Sequence, residues 1–344
     1  MQNHTNDRPT DMTSAPAVET DRPLVLGTND GVWRASRDSV ERVGLAGKRV
    51  THVADRNGTI LAVVRRDGLY ALSAAGERHL WSGDARATAI GPDGQFYVGT
   101  SPAMIFRSGD EGRTWRRADK IDELPTRAQW SFPIPPHQPH VRSIDFLPDA
   151  AASVLIGVEV GGVVYSADHG DSWSERNNGL DLDVHTVRPD PSQPGHLIAA
   201  TGYGLYLSEN HGDSWQRITK GLSRGYAVGL HVNPERAGEV LLTAGRQPPG
   251  LAGHVYHSLD GGHSWNQVVD PVLPTQYARV PVVLFARGHA WIATDSGQIF
   301  CAAAMPTNGT PYRGPGSSGW SLVQELPTSI QAASAGQSPS SVAY

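Results

Sequence analysis

Cysteine is nearly absent from this chain of 344 residues, which contains Cys301 and no other. A single cysteine excludes an internal disulfide, so the fold must depend on its packed core. Charged residues make up only 18% of the chain, and no apolar run approaches the length of a membrane span. The net charge of -5 gives no sign of a nucleic-acid partner. We therefore predict neither nucleic acid nor a membrane as a partner.

The first part of the chain lacks the apolar segment that a secretory signal requires. Residues 1–21 are polar, show no hydrophobic periodicity and are predicted to form a disordered leader. A reducing cytoplasm is the simplest location for such a chain. We expect one folded domain over residues 22–336, followed by a tail over residues 337–344.

Glycine and proline are plentiful, with 38 and 25 residues, and this composition suits many short strands joined by tight turns. One short motif, S-x-[DN]-x-G-x-[ST]-W, occurs four times. The copies are Ser108–Trp115, Ser166–Trp173, Ser208–Trp215 and Ser258–Trp265. Recurrence at intervals of tens of residues indicates a repeat architecture.

Each copy lies between two short strand-like segments, as a hairpin turn does. An Asp or Asn side chain accepts hydrogen bonds from nearby backbone N–H groups, and glycine supplies a positive φ. The Trp ring can then pack against the turn. We assign an architectural role to the acidic or amide residue and the Trp of each copy: Asp110, Asp168, Asn210, Asp260, Trp115, Trp173, Trp215 and Trp265.

The motif resembles the Asp-box, or BNR, repeat of sialidases, sortilin-type receptors and photosystem assembly factors. The resemblance implies an all-β propeller in which each box closes the turn between the third and fourth strands of a blade. Segments such as Val158–Gly162 and Thr201–Tyr206 look like poorly characterised bacterial BNR proteins described as glycosyl-hydrolase-like. The Arg-containing motif of known sialidases is missing, because Ser131–Pro135 has no arginine, so sialidase activity is not expected.

The repeating unit can be counted along the chain from its apolar second strands and its boxes. Seven units are predicted, at about 22–45, 49–83, 85–124, 140–182, 183–225, 226–272 and 277–327. The first unit lacks an inner strand, while an unassigned strand, Ser329–Ala335, follows the last one. We predict that this C-terminal strand completes the first blade and closes the ring, which removes exposed edges. In the last unit a Gly/Pro loop, Met305–Gly319, replaces the box.

Propellers bind ligands mainly at one mouth of the central channel, where first strands start and second strands end. Arginines recur near first-strand starts, and converging guanidinium groups would bind a carboxylate or phosphate. The alternative is that each arginine pairs with a local acid or is solvated. The four are Arg49, Arg86, Arg142 and Arg279. Further residues placed at this mouth are Arg65, Asp183, Tyr203, Tyr226, Arg246 and Asp295.

Two residues are candidates for catalysis at the same mouth. Glu159 ends an apolar second strand, and an apolar setting would raise its pKa toward that of a general acid or base. His185 starts a first strand and titrates near neutrality if unperturbed. The alternative for Glu159 is a surface glutamate beside a turn. We predict no metal, because the first-strand histidines His52, His140, His185 and His231 do not form one ring.

An insertion between the third and fourth units carries two aromatic residues that we expect to be exposed. Trp130 and Phe132 would stack on a sugar or cover a ligand; the alternative is packing across the mouth. The sequence predicts a propeller that binds a small polar, anionic or sugar-like ligand without a cofactor and acts on it as a hydrolase or lyase. A non-catalytic propeller that binds a protein partner is the alternative.

Overall fold

The computed structural model describes residues 23–303, 319–335 and 341–342. The described strands form seven antiparallel sheets arranged as the blades of a β-propeller, which confirms the predicted fold. The predicted leader over 1–21 and nearly all of the Met305–Gly319 loop lie outside the described residues. Within them, no helix is long and apolar enough to cross a bilayer.

The strands follow the chain from blade to blade. Blades 1 and 2 contain β1 Leu24–Thr28, β2 Gly31–Ala35, β3 Val40–Gly44, β4 Val50–Arg56, β5 Thr59–Val64, β6 Gly68–Ser73 and β7 Gly76–Trp81. Blades 3 and 4 contain β8 Ala85–Ile90, β9 Phe96–Thr100, β10 Ile105–Ser108, β11 Arg116–Arg117, β12 His140–Asp145, β13 Val154–Glu159, β14 Gly162–Ser166 and β15 Ser174–Glu175. Two 3₁₀ helices, Asp119–Glu123 and Arg127–Gln129, lie between blades 3 and 4.

The remaining blades continue in the same order. Blades 5 and 6 contain β16 Val184–Pro189, β17 Leu197–Thr201, β18 Gly204–Ser208, β19 Gln216–Ile218, β20 Tyr226–Val232, β21 Val240–Gly245, β22 Leu251–Ser258, β23 Asn266–Gln267 and β24 Tyr277–Arg279. Blade 7 and the chain end contain β25 Val282–Ala286, β26 His289–Ala293, β27 Gln298–Ala303, β28 Trp320–Glu325, β29 Ile330–Ser334 and β30 Ser341–Val342.

The ring closes as predicted, because β29 is the inner strand of blade 1 and pairs with β1. A two-residue strand, β30, adds to the free edge of β29. Residues 341–342 therefore pair within blade 1 although they fall in the predicted tail.

One boundary of the predicted units is wrong. The segment from Tyr277 was assigned to the first strand of blade 7, but β24 pairs with β22 of blade 6. The inner strand of blade 7 begins at Val282 instead. The insertion in blade 6 lengthens β22, and its first residues give β24 an edge to pair with. Arg279 consequently lies on blade 6 rather than at a first-strand start.

Second strands are apolar along their whole length because both faces of a blade pack against neighbouring blades. Thr59–Val64, for example, is buried from its second residue onward. Glycines near the ends of these strands make room for the next blade. A Cβ on Gly99 would lie 2.5 Å from Val141 Cγ1, and a Cβ on Gly27 would lie 2.8 Å from Val50 Cγ1. The recurring Gly-Thr ending is therefore a blade-packing feature.

Six of the seven inner strands have a β-bulge near their starts, and β25 of blade 7 has none. Where each of these six inner strands pairs with the next strand of its blade, one of its residues is skipped. The strands are β4, β8, β12, β16, β20 and β29. The skipped residues are Thr51, Arg86, Arg142, His185, Val228 and Gln331. A bulge interrupts the alternation of side chains and re-aims the extra residue. His52 directly follows the bulge residue of its strand, whereas His231 lies three residues beyond the bulge residue of its own.

Each box lies in the turn between the third and fourth strands of its blade. In blade 4 the Ser166 hydroxyl accepts from Gly170 N at 2.7 Å, and the Asp168 carboxylate accepts from Ser172 N at 2.8 Å and from Ser172 Oγ at 2.7 Å. Asn210 reproduces this arrangement with its amide oxygen. Trp265 is buried and donates to Gly262 O at 2.8 Å. The boxes are thus closed local networks.

We expect removal of residues 327–344 to lower the melting temperature by about 10 °C or more. The deletion removes the buried Ile330 and exposes the edge of β1 to solvent. Removal of residues 336–344 is the matched control, because it retains β29. Thermal unfolding followed by circular dichroism measures both. Equal melting temperatures for the full chain and the longer deletion would contradict closure by β29.

The box hydrogen bonds also predict a pH dependence. Burial would raise the pKa of Asp168, but the hydrogen bonds from Ser172 and Ser166 outweigh it and lower the pKa to about 2. A depressed carboxyl pKa stabilises the fold above the unfolded-state pKa of about 4, and this contribution is lost as pH falls toward 2.

Asp168→Asn imitates the protonated acid. The stability advantage of the wild type over this variant should be present at neutral pH and should vanish near pH 2. Asn210→Asp, the reciprocal change in the next box, should gain an advantage with the same pH dependence. Denaturant unfolding at several pH values measures the difference. A gap that does not change with pH would show that the carboxylate charge has no role in the box.

Candidate functional site

A cavity of about 550 Å³ lies at the mouth of the channel opposite the boxes. Four of its lining residues are bulge residues with polar side chains: Thr51, Arg86, Arg142 and Gln331. Five arginines and one aspartate face it, so its lining carries a net charge of +4. The arginines are Arg49, Arg65, Arg66, Arg86 and Arg142, and the aspartate is Asp84. The size suits a small-molecule ligand.

Two of these arginines have acidic partners. Arg86 Nη2 lies 2.7 Å from Asp84 Oδ2, and Arg142 Nη1 lies 3.1 Å from Glu159 Oε2. Arg49 instead donates to the Gln331 side-chain oxygen at 3.2 Å. Among the residues that the structure describes, no carboxylate lies within salt-bridge distance of Arg49, Arg65 or Arg66. Ion pairs with nearby acids therefore neutralise only part of the positive charge around the cavity.

The positive charges are close enough to affect one another. Partial burial and the neighbouring charges of Arg86, Arg49 and Arg66 lower the pKa of Arg65. Like charges are held together here against their mutual repulsion. An oxyanion between them would relieve that repulsion and accept hydrogen bonds from planar guanidinium groups.

Apolar side chains form one wall of the same cavity. They come from the insertion between blades 3 and 4: Phe132, Ile134, Pro135 and Pro136. Ile134 is 62% exposed, and the Phe132 ring contacts the His140 ring edge-on at 5.2 Å. The mouth therefore combines a cationic floor with an apolar wall.

Trp130 does not belong to that wall. The sequence predicted an exposed aromatic residue, but Trp130 is buried in the core between blades 3 and 4. Its indole N–H donates to Thr126 Oγ1 at 3.1 Å, and the Arg127 guanidinium covers its ring at 4.7 Å. The 3₁₀ turn before it folds the ring inward. Trp130 therefore packs between two blades, which is neither ligand stacking nor the alternative of packing across the mouth.

Glu159 lies just behind the cavity and is almost completely buried. His140 Nε2 lies 2.9 Å from its Oε2 atom, close to Arg142. Burial would raise the pKa of Glu159, but the Arg142 charge and the His140 hydrogen bond outweigh it and hold the pKa well below its usual range. The expected raised pKa is therefore wrong, because the Arg142 guanidinium and the His140 ring both lie against this carboxylate within its apolar walls. Glu159 is a fixed negative charge that holds Arg142 in place.

His185 is fully buried beside Glu159. Its Nδ1 atom lies 2.6 Å from Ala227 O, to which it donates, and its ring lies 4.8 Å from the Tyr226 ring. Burial lowers the pKa of His185 to about 4, against the effect of the Glu159 charge. The histidine is thus neutral at physiological pH rather than poised to titrate there.

The raised pKa that was expected of Glu159 is found instead at Asp183. It precedes β16, and its backbone bridges to Glu159 across the junction of blades 4 and 5. Burial raises the pKa of Asp183 to about 7, and the charges of Glu159 and Asp181 act in the same direction. The sequence placed Asp183 at this mouth but gave it no role, since its contact with Glu159 depends on how two blades meet.

Donor atoms of Glu159, Asp183 and His185 lie within 4.8 Å of one another, a spacing that a divalent cation could bridge. The charge balance argues against a cation here. The Arg142 guanidinium already lies 3.1 Å from Glu159 Oε2 and neutralises that carboxylate. The group is better described as a buried acid pair with its counter-charges.

The other candidates lie away from the cavity lining. Tyr226 is buried against His185, whereas Tyr203 is 67% exposed in the turn between β17 and β18. Arg246 and Asp295 follow β21 and β26, and Arg279 lies on β24. Sequence reasoning missed Arg66, which follows Arg65 in the β5–β6 turn; a second arginine at the same turn was the available signal.

A smaller cavity of about 300 Å³ lies at the opposite end of the channel. Its lining is largely proline and other apolar residues, such as Pro148, Phe146 and Ile90. Arg188 and Asp145 also reach it, but they pair with each other at 3.3 Å. The concentration of positive charge is therefore specific to the mouth opposite the boxes.

Solved structures similar to this chain include GH74 enzymes and YCF48. A GH74 xyloglucanase from Xanthomonas campestris matches with a TM-score of 0.67 at 17% identity, over 89% of this chain and 53% of that one. An ancestral GH74 enzyme matches with a TM-score of 0.63 at 16% identity, over 89% and 40%. YCF48 bound to a D1 peptide matches with a TM-score of 0.56 at 16% identity, over 85% and 92%.

Because the sequence identities are below one fifth, these likenesses establish the fold alone. The chain spans about half the length of the two GH74 enzymes or less. No protein-family model and no curated protein sequence matches the chain. The class that fold and site define is a seven-bladed β-propeller with a basic channel mouth.

Proposed function

We propose that this propeller binds a small anionic ligand, with a carboxylate or phosphate group, at its basic mouth. The observation that carries the proposal is the set of five arginines around one cavity, of which three have no described carboxylate partner. Arg65 and Arg66 come from one turn, while Arg49 comes from the start of the neighbouring strand. Their guanidinium groups can donate to one oxyanion from two sides.

The apolar wall narrows the ligand class. Phe132 and Ile134 offer flat and aliphatic surfaces beside the cations, so a ligand with an apolar face next to its acidic group complements both. Sugar acids have this character, because the axial face of a pyranose ring is apolar and its carboxylate or phosphate is charged. The volume of about 550 Å³ accommodates a mono- or disaccharide of this kind.

Arg65→Gln and Arg49→Gln should each weaken binding of glucuronate or a sugar phosphate by roughly tenfold, because each removes one charge-assisted contact. Arg279→Gln is the matched control, since it removes an arginine that does not line the cavity. Isothermal titration calorimetry at two salt concentrations measures the affinities, and added salt should weaken binding by the wild type.

The same titrations are carried out with neutral sugars and with an acidic peptide. Stronger binding of the acidic peptide than of any sugar acid would favour a protein partner over a small ligand. Equal affinities for the mouth variants and the Arg279→Gln control would contradict the proposed site, as would binding of neutral sugars alone.

We propose acid–base catalysis on the bound ligand as a second function, because two neighbouring carboxylates have pKa values pushed in opposite directions. Such a pair separates an ionised group from a protonated one at the same pH. Glu159 remains a carboxylate, and Asp183 would donate or accept the proton. This is the chemistry of a hydrolase or a lyase acting on a sugar acid.

Asp183→Asn should abolish turnover of any uronide or sugar phosphate substrate while leaving ligand affinity within about threefold. Release of a chromogenic leaving group reports hydrolysis, and absorbance of a conjugated double bond reports elimination. The wild-type rate should change with an apparent pKa near 7. Asp181→Asn, in the same segment, should retain turnover and lower the apparent pKa, because it removes one of the charges that raise the pKa of Asp183. If Asp183→Asn retains wild-type turnover, or if the wild type binds the ligands but turns over none, the propeller is a binding protein.

The peptide-bound YCF48 structure supports keeping a protein partner as the alternative, because it shows a propeller of this fold with a bound peptide. The exposed Ile134 beside the arginines would suit a peptide with an apolar residue next to an acidic one. The peptide arm of the binding panel tests this alternative directly.

A further inference from the structure

A second group of polar side chains lies on the box face, at the rim between blades 5 and 6. His196 follows the turn after β16 and is 4% exposed. Neither of its ring nitrogens has a hydrogen-bond partner in the described part of the chain. An imidazole with both nitrogens buried and unsatisfied costs free energy, so this residue needs an explanation.

The His196 ring points toward the box of blade 6. Its Nε2 atom lies 3.5 Å from the position that a Cβ on Gly261 would occupy. The absence of that side chain opens the space beside the ring to His263, two residues along the same box. The two imidazole rings are 6.0 Å apart between centroids.

Glu209, in the box of blade 5, approaches the same place from the other side. Its Oε1 atom lies 3.7 Å from His263 Nε2. The side chains of His263 and Glu209 are 49% and 72% exposed, so both can rotate without disturbing the core. Behind the ring, Asp190 Oδ2 lies 3.9 Å from His196 Nδ1. At this distance the carboxylate makes no hydrogen bond to the ring, but its negative charge favours a cation nearby.

We propose that His196, His263 and Glu209 form a binding site for a first-row divalent metal such as Zn²⁺. The buried His196 supplies a fixed nitrogen, and the two exposed side chains close onto the ion. Two imidazoles and one carboxylate, with a remaining position for water, match the donor set that Zn²⁺ accepts. The site joins two consecutive blades and is independent of the basic mouth on the opposite face.

Zinc titration of the metal-free chain tests the proposal, by competition with a chromophoric chelator and by thermal shift. The wild type should bind one Zn²⁺ with a dissociation constant in the micromolar range or below, and the ion should raise its melting temperature. His263→Ala and Glu209→Ala should each weaken binding at least tenfold. Both residues are exposed, so the variants should fold as the wild type does.

Two control variants locate the ion. His169→Ala removes a histidine from the box of blade 4 and should leave zinc affinity unchanged. Asp183→Asn disrupts the buried acid pair in the channel and should also leave it unchanged. X-ray absorption of the zinc-bound chain should show two imidazole ligands, and only one in His263→Ala. Absence of zinc binding by the wild type, wild-type affinity in both rim variants, or loss of binding in Asp183→Asn would overturn the proposal.

Discussion

In the described part of the chain, β30 pairs with the inner edge of blade 1, while the other six blades leave the inner edge of their first strand facing the channel, where backbone N–H and C=O groups need partners. Side chains of the preceding blade's inner strand satisfy several of these groups. His52 accepts from Thr88 N at 3.4 Å, Ser143 accepts from Val187 N at 3.2 Å, and His231 accepts from Phe285 N at 3.2 Å. This side-chain-to-edge bonding joins blades around the axis.

That requirement explains why the channel is polar and contains histidines. Burial lowers the pKa values of His52 and His231 to about 3, so both rings stay neutral and can accept from backbone N–H groups. His185 does the reverse and donates to the carbonyl of Ala227. The histidines therefore have architectural partners, and charge is left to the ends of the channel. The bulges bring Arg86 and Arg142 to one of those ends.

The apolar second strands, together with the four boxes, were sufficient to predict the number of blades, and the missing inner strand of blade 1 was sufficient to predict closure by β29. The side-chain directions at the mouth could not be predicted in the same way. Alternation along a strand is a two-residue pattern, and a bulge such as that at His185 breaks it without a sequence signal. The pKa of Glu159 was mispredicted because its apolar neighbours along the chain said nothing about Arg142 and His140 across the blade. The exposure of Trp130 was mispredicted for a related reason, since whether an inserted loop folds inward depends on the neighbouring core.

The central claim is that the arginines at the mouth form an oxyanion site. A crystal structure of the chain grown with a sugar acid or with phosphate tests it most directly. The account predicts one oxyanion within hydrogen-bond distance of Arg49 and of Arg65 or Arg66, with the apolar part of the ligand against Phe132. An empty mouth at a ligand concentration that saturates binding in solution, or an oxyanion bound only elsewhere on the propeller, would contradict it.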